Sequence, residues 1–253
     1  MDFQTIAAIA FVIILTIFVY LKRKRLETKQ LIPYFLYFSM YKTKWGLKLM
    51  DSIGKKHSKL MSYIGYFGIL IGFLAMVFIS YVLIVGTYNL FTKTNAPPIV
   101  SPVLPFKVKG IAFIPFFYFI ISIFVIAVVH EFAHGVIARA HNLKVKSSGF
   151  AFLGLIVPIL PAAFVEPDEK ELRKRPHKQQ LSVFAAGPFS NIAFAFLFLA
   201  IASFMLAPLA NAVIEPNGVK VTDYVNEKDF FPAEKAGIKI GEIIQKVDNV
   251  PTP

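Results

Sequence analysis

Val125-Ile126-Ala127-Val128-Val129-His130-Glu131-Phe132-Ala133-His134-Gly135 is the stretch that decides the reading of this chain. On a helix the spacing H-E-x-x-H sets two imidazoles about 40° apart on one face, one turn apart, where both can grip one zinc ion. Glu131 lies about 100° round from His130 and within reach of a water at that metal, so it suits a general base. All three residues sit in a run too apolar for water. Ionisable groups inside a bilayer are costly and mark function.

Working outward, the 253 residues are 56% hydrophobic, with a mean hydropathy of +0.62. That exceeds the roughly 45–50% apolar share of soluble domains. The apolar residues fall in blocks, and a transmembrane helix needs about 20 of them in succession. Four blocks qualify: Phe3–Leu21, Met61–Leu90, Ile111–Ala140 and Leu181–Ala207. A fifth run, Gly149–Val165, is broken by Pro158 and Pro161 and is too short for a simple crossing. The first block reads as an anchor rather than a cleaved signal. Its basic cluster, Lys22-Arg23-Lys24-Arg25, follows the apolar run instead of preceding it.

The net charge of +12 is concentrated in Lys22–Lys59 and Arg139–Lys178, two connections on one side if all four spans cross. The opposite side is sparsely basic. This positive-inside asymmetry places the basic loops in the cytoplasm and the N-terminus outside. The expected partner of those loops is the lipid bilayer with its anionic headgroups; nucleic acid is not expected. With no cysteine, any zinc here must use nitrogen and oxygen ligands.

Three regions follow. Residues 1–110 hold the N-terminal spans and a basic loop whose aromatic patch, Tyr34-Phe35-Leu36-Tyr37-Phe38, suits the membrane interface. Its His57 reads as a surface histidine. A proline-dense external connection, Ala96–Pro105, reads as an extended cover. Residues 111–207 hold the motif helix, then Phe150-Ala151-Phe152-Leu153-Gly154-Leu155, which reads as a re-entrant strand or hairpin or else a broken helix. Non-helical backbone at membrane depth needs protein or a water-filled cavity beside it. The fourth span opens with Gly187-Pro188-Phe189-Ser190-Asn191, its small residue allowing close helix contact and its proline suiting a first turn. Residues 208–253 turn soluble: a strand over 218–225, a short helix over 232–237, and turn and strand over 238–247. The fold class is an all-α polytopic membrane protein with a re-entrant β segment and a partial α/β soluble segment.

H-E-x-x-H in a span, Gly-Pro-x-x-Asn opening the next, and Ala236-Gly237-Ile238-Lys239-Ile240-Gly241-Glu242-Ile243-Ile244 beyond together resemble the site-2 protease family of intramembrane zinc metalloproteases. The last segment looks like the first part of a PDZ domain, external in this orientation. The resemblance implies a multi-pass cell-membrane enzyme that cleaves membrane-spanning segments of protein substrates. It implies Zn2+ and no other cofactor, His130 and His134 as ligands, and Glu131 and Asn191 as catalytic residues, with Asn191 helping to stabilise an oxyanion.

The family's third ligand is an aspartate of an Asp-Gly motif on a later span. Nothing here matches it, so the expectation is a C-terminally truncated form, inactive on its own. His141 lies about 10 Å along the helix from His134, and Glu166 and Asp168 lie in a loop, so all three are poor substitutes. Phe150, Phe152, Leu153, Gly154 and Leu155 are expected to hold a substrate by strand addition. Two other readings stay open: a membrane metallopeptidase with a downstream glutamate ligand, and a non-catalytic membrane scaffold presenting a PDZ module.

Overall fold

The computed structural model describes residues 3–32, 36–93, 98–105, 108, 111–155, 157–213, 219–222, 237–247 and 250–251. These fall into two compact units, Met1–Phe194 and Ala195–Pro253.

In the first unit, four helices are long and apolar enough to cross a membrane. They are α1 (Phe3–Lys22), α3 (Ser58–Thr92), α4 (Phe116–Ala140) and α6 (His177–Ile201), the last continuing past the unit boundary. The chain is a multi-pass membrane protein. At 1.5 Å per residue the 35 residues of α3 run about 52 Å, well beyond a bilayer core of about 30 Å. Outward-facing residues along it, such as Phe67, Leu74, Phe78 and Ile84, are exposed in the chain itself. That suits contact with lipid rather than water.

The sheet is where structure adds most to the sequence reading. Strands β1 (Leu26–Ile32), β2 (Leu36–Thr43), β5 (Val145–Gly154) and β6 (Pro158–Pro167) form one antiparallel sheet in the order β1-β2-β5-β6. The run after the motif helix is therefore a β-hairpin and not a broken helix. The aromatic patch read as an interfacial segment supplies the first three residues of β2, Leu36–Phe38, and the strand pairs Tyr41 with Phe150 and Phe38 with Leu153. Between β2 and β5 come α2 (Leu47–Lys56), α3, the short parallel pair β3 (Val103–Leu104) and β4 (Ala112–Phe113), and α4. In the proline-dense connection Ile99 lies against Gly86 of α3, where a Cβ would overlap its side chain.

Lys42 of β2 straps the sheet by pairing with Glu27 of β1 at 2.8 Å and Glu166 of β6 at 3.1 Å. Ser147 donates to Glu166 at 2.5 Å. That hydrogen bond and the lysine hold the Glu166 carboxyl below the usual carboxylate range.

Helix α4 ends where its sequence supplies a stop. Asn142 takes a left-handed φ of 55°, which asparagine tolerates better than most residues. Its N–H donates to Arg139 O at 3.0 Å and that of Leu143 to Ala138 O at 2.9 Å, the pair of bonds of a Schellman cap. Leu143 is buried there with Ile137, Ala138, Val145, Leu172, Val183 and Ala186. The core thus gathers around the C-terminal end of α4, just beyond the second histidine. Asp51 of α2 pairs with Arg139 at 3.1 Å, tying α2 to the same end.

The charged stretch after β6 forms the four-residue α5 (Glu169–Leu172), capped by Asp168 Oδ1 accepting from Lys170 and Glu171 N–H. It leads directly into α6, which begins at His177. Pro188 is therefore well inside the helix, not in its first turn. A proline there withholds its own N–H and crowds the carbonyl four residues back, that of Phe184.

In the second unit a π-helical turn (Ala202–Leu206) precedes α7 (Ala207–Val213). Beyond it β7 (Val219–Lys220) pairs antiparallel with β8 (Ile243–Ile244), and β9 (Lys246–Val247) with β10 (Val250–Pro251). Of the helix expected over 232–237, all but Gly237 lies outside the described residues, and Gly237 has a left-handed φ of 81°.

Candidate metal centre

His130, Glu131 and His134 come together as the spacing requires. Their ligand atoms all lie within 4.8 Å of one another and all three residues are half-buried. The imidazole centroids are 4.8 Å apart with the rings at 74°.

What surrounds them decides which nitrogen each histidine presents. His134 Nδ1 lies 2.6 Å from the carbonyl oxygen of Val183 on α6. A carbonyl can only accept, so Nδ1 carries the proton and Nε2 keeps its lone pair. Val183 stands one residue before Phe184, the residue whose carbonyl Pro188 crowds. His130 Nδ1 lies 3.1 Å from the Asn191 side-chain amide. As the amide stands, its NH2 faces the ring and Oδ1 has no hydrogen-bond partner among the described residues. A half-turn of the amide lets Oδ1 accept from Nδ1–H and frees Nε2 for a metal. Outer partners of this type fix tautomer and ring orientation in zinc sites.

Both Nε2 atoms face Gly187, and a Cβ placed there would overlap both. Val183, Gly187 and Asn191 are four residues apart, so they share one face of α6. Val183 and Asn191 hold the outer nitrogens, and the glycine leaves the space into which the inner ones point. The donor set, two imidazoles and a neighbouring carboxylate with no thiolate, fits zinc.

Glu131, whose carboxylate shares that cluster, is held from the side of β6. Its Oε2 accepts from the backbone N–H of Val165 on β6 at 3.0 Å. Val165 N–H therefore points away from β5. In an antiparallel ladder alternate residues share that direction. Ala163 thus turns its N–H and C=O to the free edge of β6, and Pro161 its C=O. Pro161 sits where a missing N–H breaks no ladder bond.

These contacts bear on two expectations. Asn191 touches the outer nitrogen of a candidate ligand. Strand β5 is paired on both sides, with β2 and with β6. Phe150, Phe152, Leu153 and Gly154 therefore have no free backbone edge for strand addition, and Leu155 lies beyond the end of β5. On the side of the sheet next to Glu131 the edge strand is β6.

The residues set aside as third ligands are engaged elsewhere. His141 is buried, its Nε2 2.7 Å from Ser182 Oγ, and Ser182 itself donates to Gln179 O at 2.8 Å. Burial first, and the Arg175 charge second, push the His141 imidazole below its usual range. Asp168 pairs with Lys146 at 3.1 Å. Glu166 belongs to the sheet strap.

Sequence reasoning missed Gly187 as the space-maker, and the Val183 carbonyl and Val165 N–H as holders. The Gly-Pro-x-x-Asn element carried a signal for the first. Backbone groups carry none.

Comparison with known proteins agrees with this geometry. A stretch of 155 residues, 61% of the chain, is 32% identical to an uncharacterized protein of Methanocaldococcus jannaschii, and spans 40% of that relative's length. No solved structure matches the chain. Residues 118–250, over half of the chain and including the motif helix, the hairpin and α6, match Peptidase family M50. This chain belongs to Peptidase family M50, the site-2 protease family.

Proposed function

We propose that this protein is an intramembrane zinc endopeptidase that cleaves membrane-spanning segments of protein substrates. The observation that carries the reading is the convergence of two imidazole Nε2 atoms under Gly187, with Glu131 alongside, in a helix apolar enough to cross a bilayer.

His130 and His134 would hold the ion, and zinc there supplies Lewis acidity to the scissile carbonyl and to the attacking water. Glu131 accepts a proton from that water as its oxygen bonds to the carbonyl carbon. It then delivers the proton to the amine nitrogen as the C–N bond breaks. Val165 N–H holds one carboxylate oxygen and leaves the other to carry the proton. Val183 and Asn191 keep the imidazoles in place throughout.

A helical substrate hides its peptide groups in its own hydrogen bonds, so cleavage requires an extended segment. The free edge of β6 offers Ala163 N–H and C=O and Pro161 C=O as replacement partners. These stand on the strand that also grips Glu131. In this reading the basic loops and the sheet lie at the cytoplasmic side, the N-terminus and the 208–253 segment are external, and that segment is PDZ-like.

The test is cleavage of a single-pass substrate by the full-length protein in nanodiscs, wild type against Glu131→Gln, with zinc quantified in both. The reading expects equal zinc and cleavage only by the wild type. Cleavage that survives the substitution, or active protein without zinc, would refute it. Zinc-loaded wild-type protein inert toward membrane-spanning substrates would favour a scaffold.

A further inference from the structure

Two cavities share a boundary, and the smaller of them reaches Glu131. The smaller, about 50 Å³, is lined by Glu131, Val165 and Ala163, and by Met50, Gly149 and Phe150 among others. The larger, about 640 Å³, runs along α4 and α6 past Leu49, Val129, Ala133 and Phe194. Both are bounded by the same four residues, Trp45, Gly46, Val128 and Phe132. Val128 and Phe132 are consecutive turns of α4. Trp45 and Gly46 belong to the connection between β2 and α2.

Trp45 is placed firmly for a residue so exposed. Its carbonyl accepts from Ser148 Oγ of β5, and its N–H donates to Thr43 Oγ1 at 3.2 Å. The next residue, Gly46, has φ of 79°, a left-handed turn that glycine makes without cost and that starts α2. The indole stacks on Phe150 at 6.2 Å with 28° between the planes, yet Trp45 is 70% exposed. It is a fixed wall with little packed behind it.

We infer that Trp45 is a specificity-determining residue, closing the small cavity beside Glu131 so that it accepts only a small apolar side chain of the substrate residue next to the scissile bond. The inference rests on the proteolytic reading. One water needs about 10–15 Å³ by the same measure, so about 50 Å³ takes a few heavy atoms. On that volume alanine and valine are the best fit and phenylalanine the poorest. The lining is apolar apart from Glu131 and Ser148, which disfavours a charged side chain. A substrate strand on the β6 edge at Ala163 would lie against this cavity, because Ala163 and Val165 form part of its wall. Removing the indole joins the cavity to the larger groove and lifts the size limit. The exposure of Trp45 means that its truncation leaves the core untouched.

The experiment uses full-length, zinc-loaded protein in nanodiscs and a single-pass substrate. The residue next to the cleavage site, located by mass spectrometry, is varied through Ala, Val, Leu and Phe. Wild type is expected to favour Ala over Phe in kcat/KM by on the order of tenfold or more, the scale of discrimination in apolar pockets. Trp45→Ala is expected to bring that ratio close to one with zinc content unchanged, and Trp45→Phe to restore most of it. An unchanged ratio in Trp45→Ala, or equal slowing of all four substrates as a lost interfacial anchor would give, overturns the inference. So does a wild type with no preference for size. Failure of wild type to cleave any of the four instead overturns the proteolytic reading beneath it.

Discussion

The two faces of α4 around the motif are supported in different ways. On one, His130 and His134 look toward α6, whose Val183 carbonyl, Gly187 and Asn191 lie on a single helical stripe. On the other, Glu131 looks toward β6 and is gripped by a strand backbone. In the proposed reaction metal holding would thus fall to helix–helix packing, and proton transfer to the edge of a sheet. One face should be open to damage without the other.

The largest effect is expected from Glu131→Gln, which should keep zinc and lower kcat by about 10²–10⁴, the usual contribution of a positioned acid–base group. Zinc analysis alongside single-turnover cleavage checks this. Metal lost together with activity would show that the two faces are not separable.

Gly187→Ala puts a methyl group where both Nε2 atoms point. It should abolish tight metal binding while helix content by circular dichroism stays at the wild-type level. Full zinc occupancy in this variant would break the assignment of α6 to the metal face.

Asn191→Ala should weaken zinc binding by about 10–100-fold, the range typical of outer partners of ligating histidines, and be read by competition with a chelator. A loss of kcat at saturating zinc with unchanged affinity would return Asn191 to the oxyanion role.

On the sheet face, Ala163→Pro removes the one N–H that β6 offers a substrate at that level without breaking a ladder bond. KM should rise several-fold at constant zinc content. Unchanged KM would contradict strand addition at this edge.

The smallest effect concerns the sheet strap. A carboxyl with a folded pKa below its unfolded value stabilises the fold above the unfolded value and loses that contribution as pH falls through the folded one. Glu166 is such a group. The thermal midpoint should therefore hold near neutrality and fall on acidification below about pH 4, the ordinary glutamate range. Glu166→Gln should flatten that fall. With the side chain 38% exposed, the contribution stays below about 1 kcal/mol.

Much of the helical frame was legible because a bilayer demands about 20 apolar residues per crossing, and all four blocks became long helices. H-E-x-x-H was legible because its chemistry is local to one helix. The hairpin after α4 was legible through Pro158 and Pro161, which bar a helix. The N-terminal hairpin was not. Its aromatic strand matches an interfacial segment equally well, and the register linking Tyr41 to Phe150 spans more than a hundred residues without leaving a periodic trace. Which strand keeps a free edge was illegible for the same reason: that β5 is an inner strand depends on β2. Pro188 misled because a proline starting a helix is commoner than one within it, and the polar residues 177–180 masked the true beginning of α6.

The most direct test of the central claim is zinc X-ray absorption spectroscopy on the full-length protein, wild type against His134→Ala. The account predicts two imidazole nitrogens at about 2.0–2.1 Å in the wild type and the loss of one, with most of the bound zinc, in the variant. A spectrum without imidazole scattering, or one unchanged by the substitution, would contradict it.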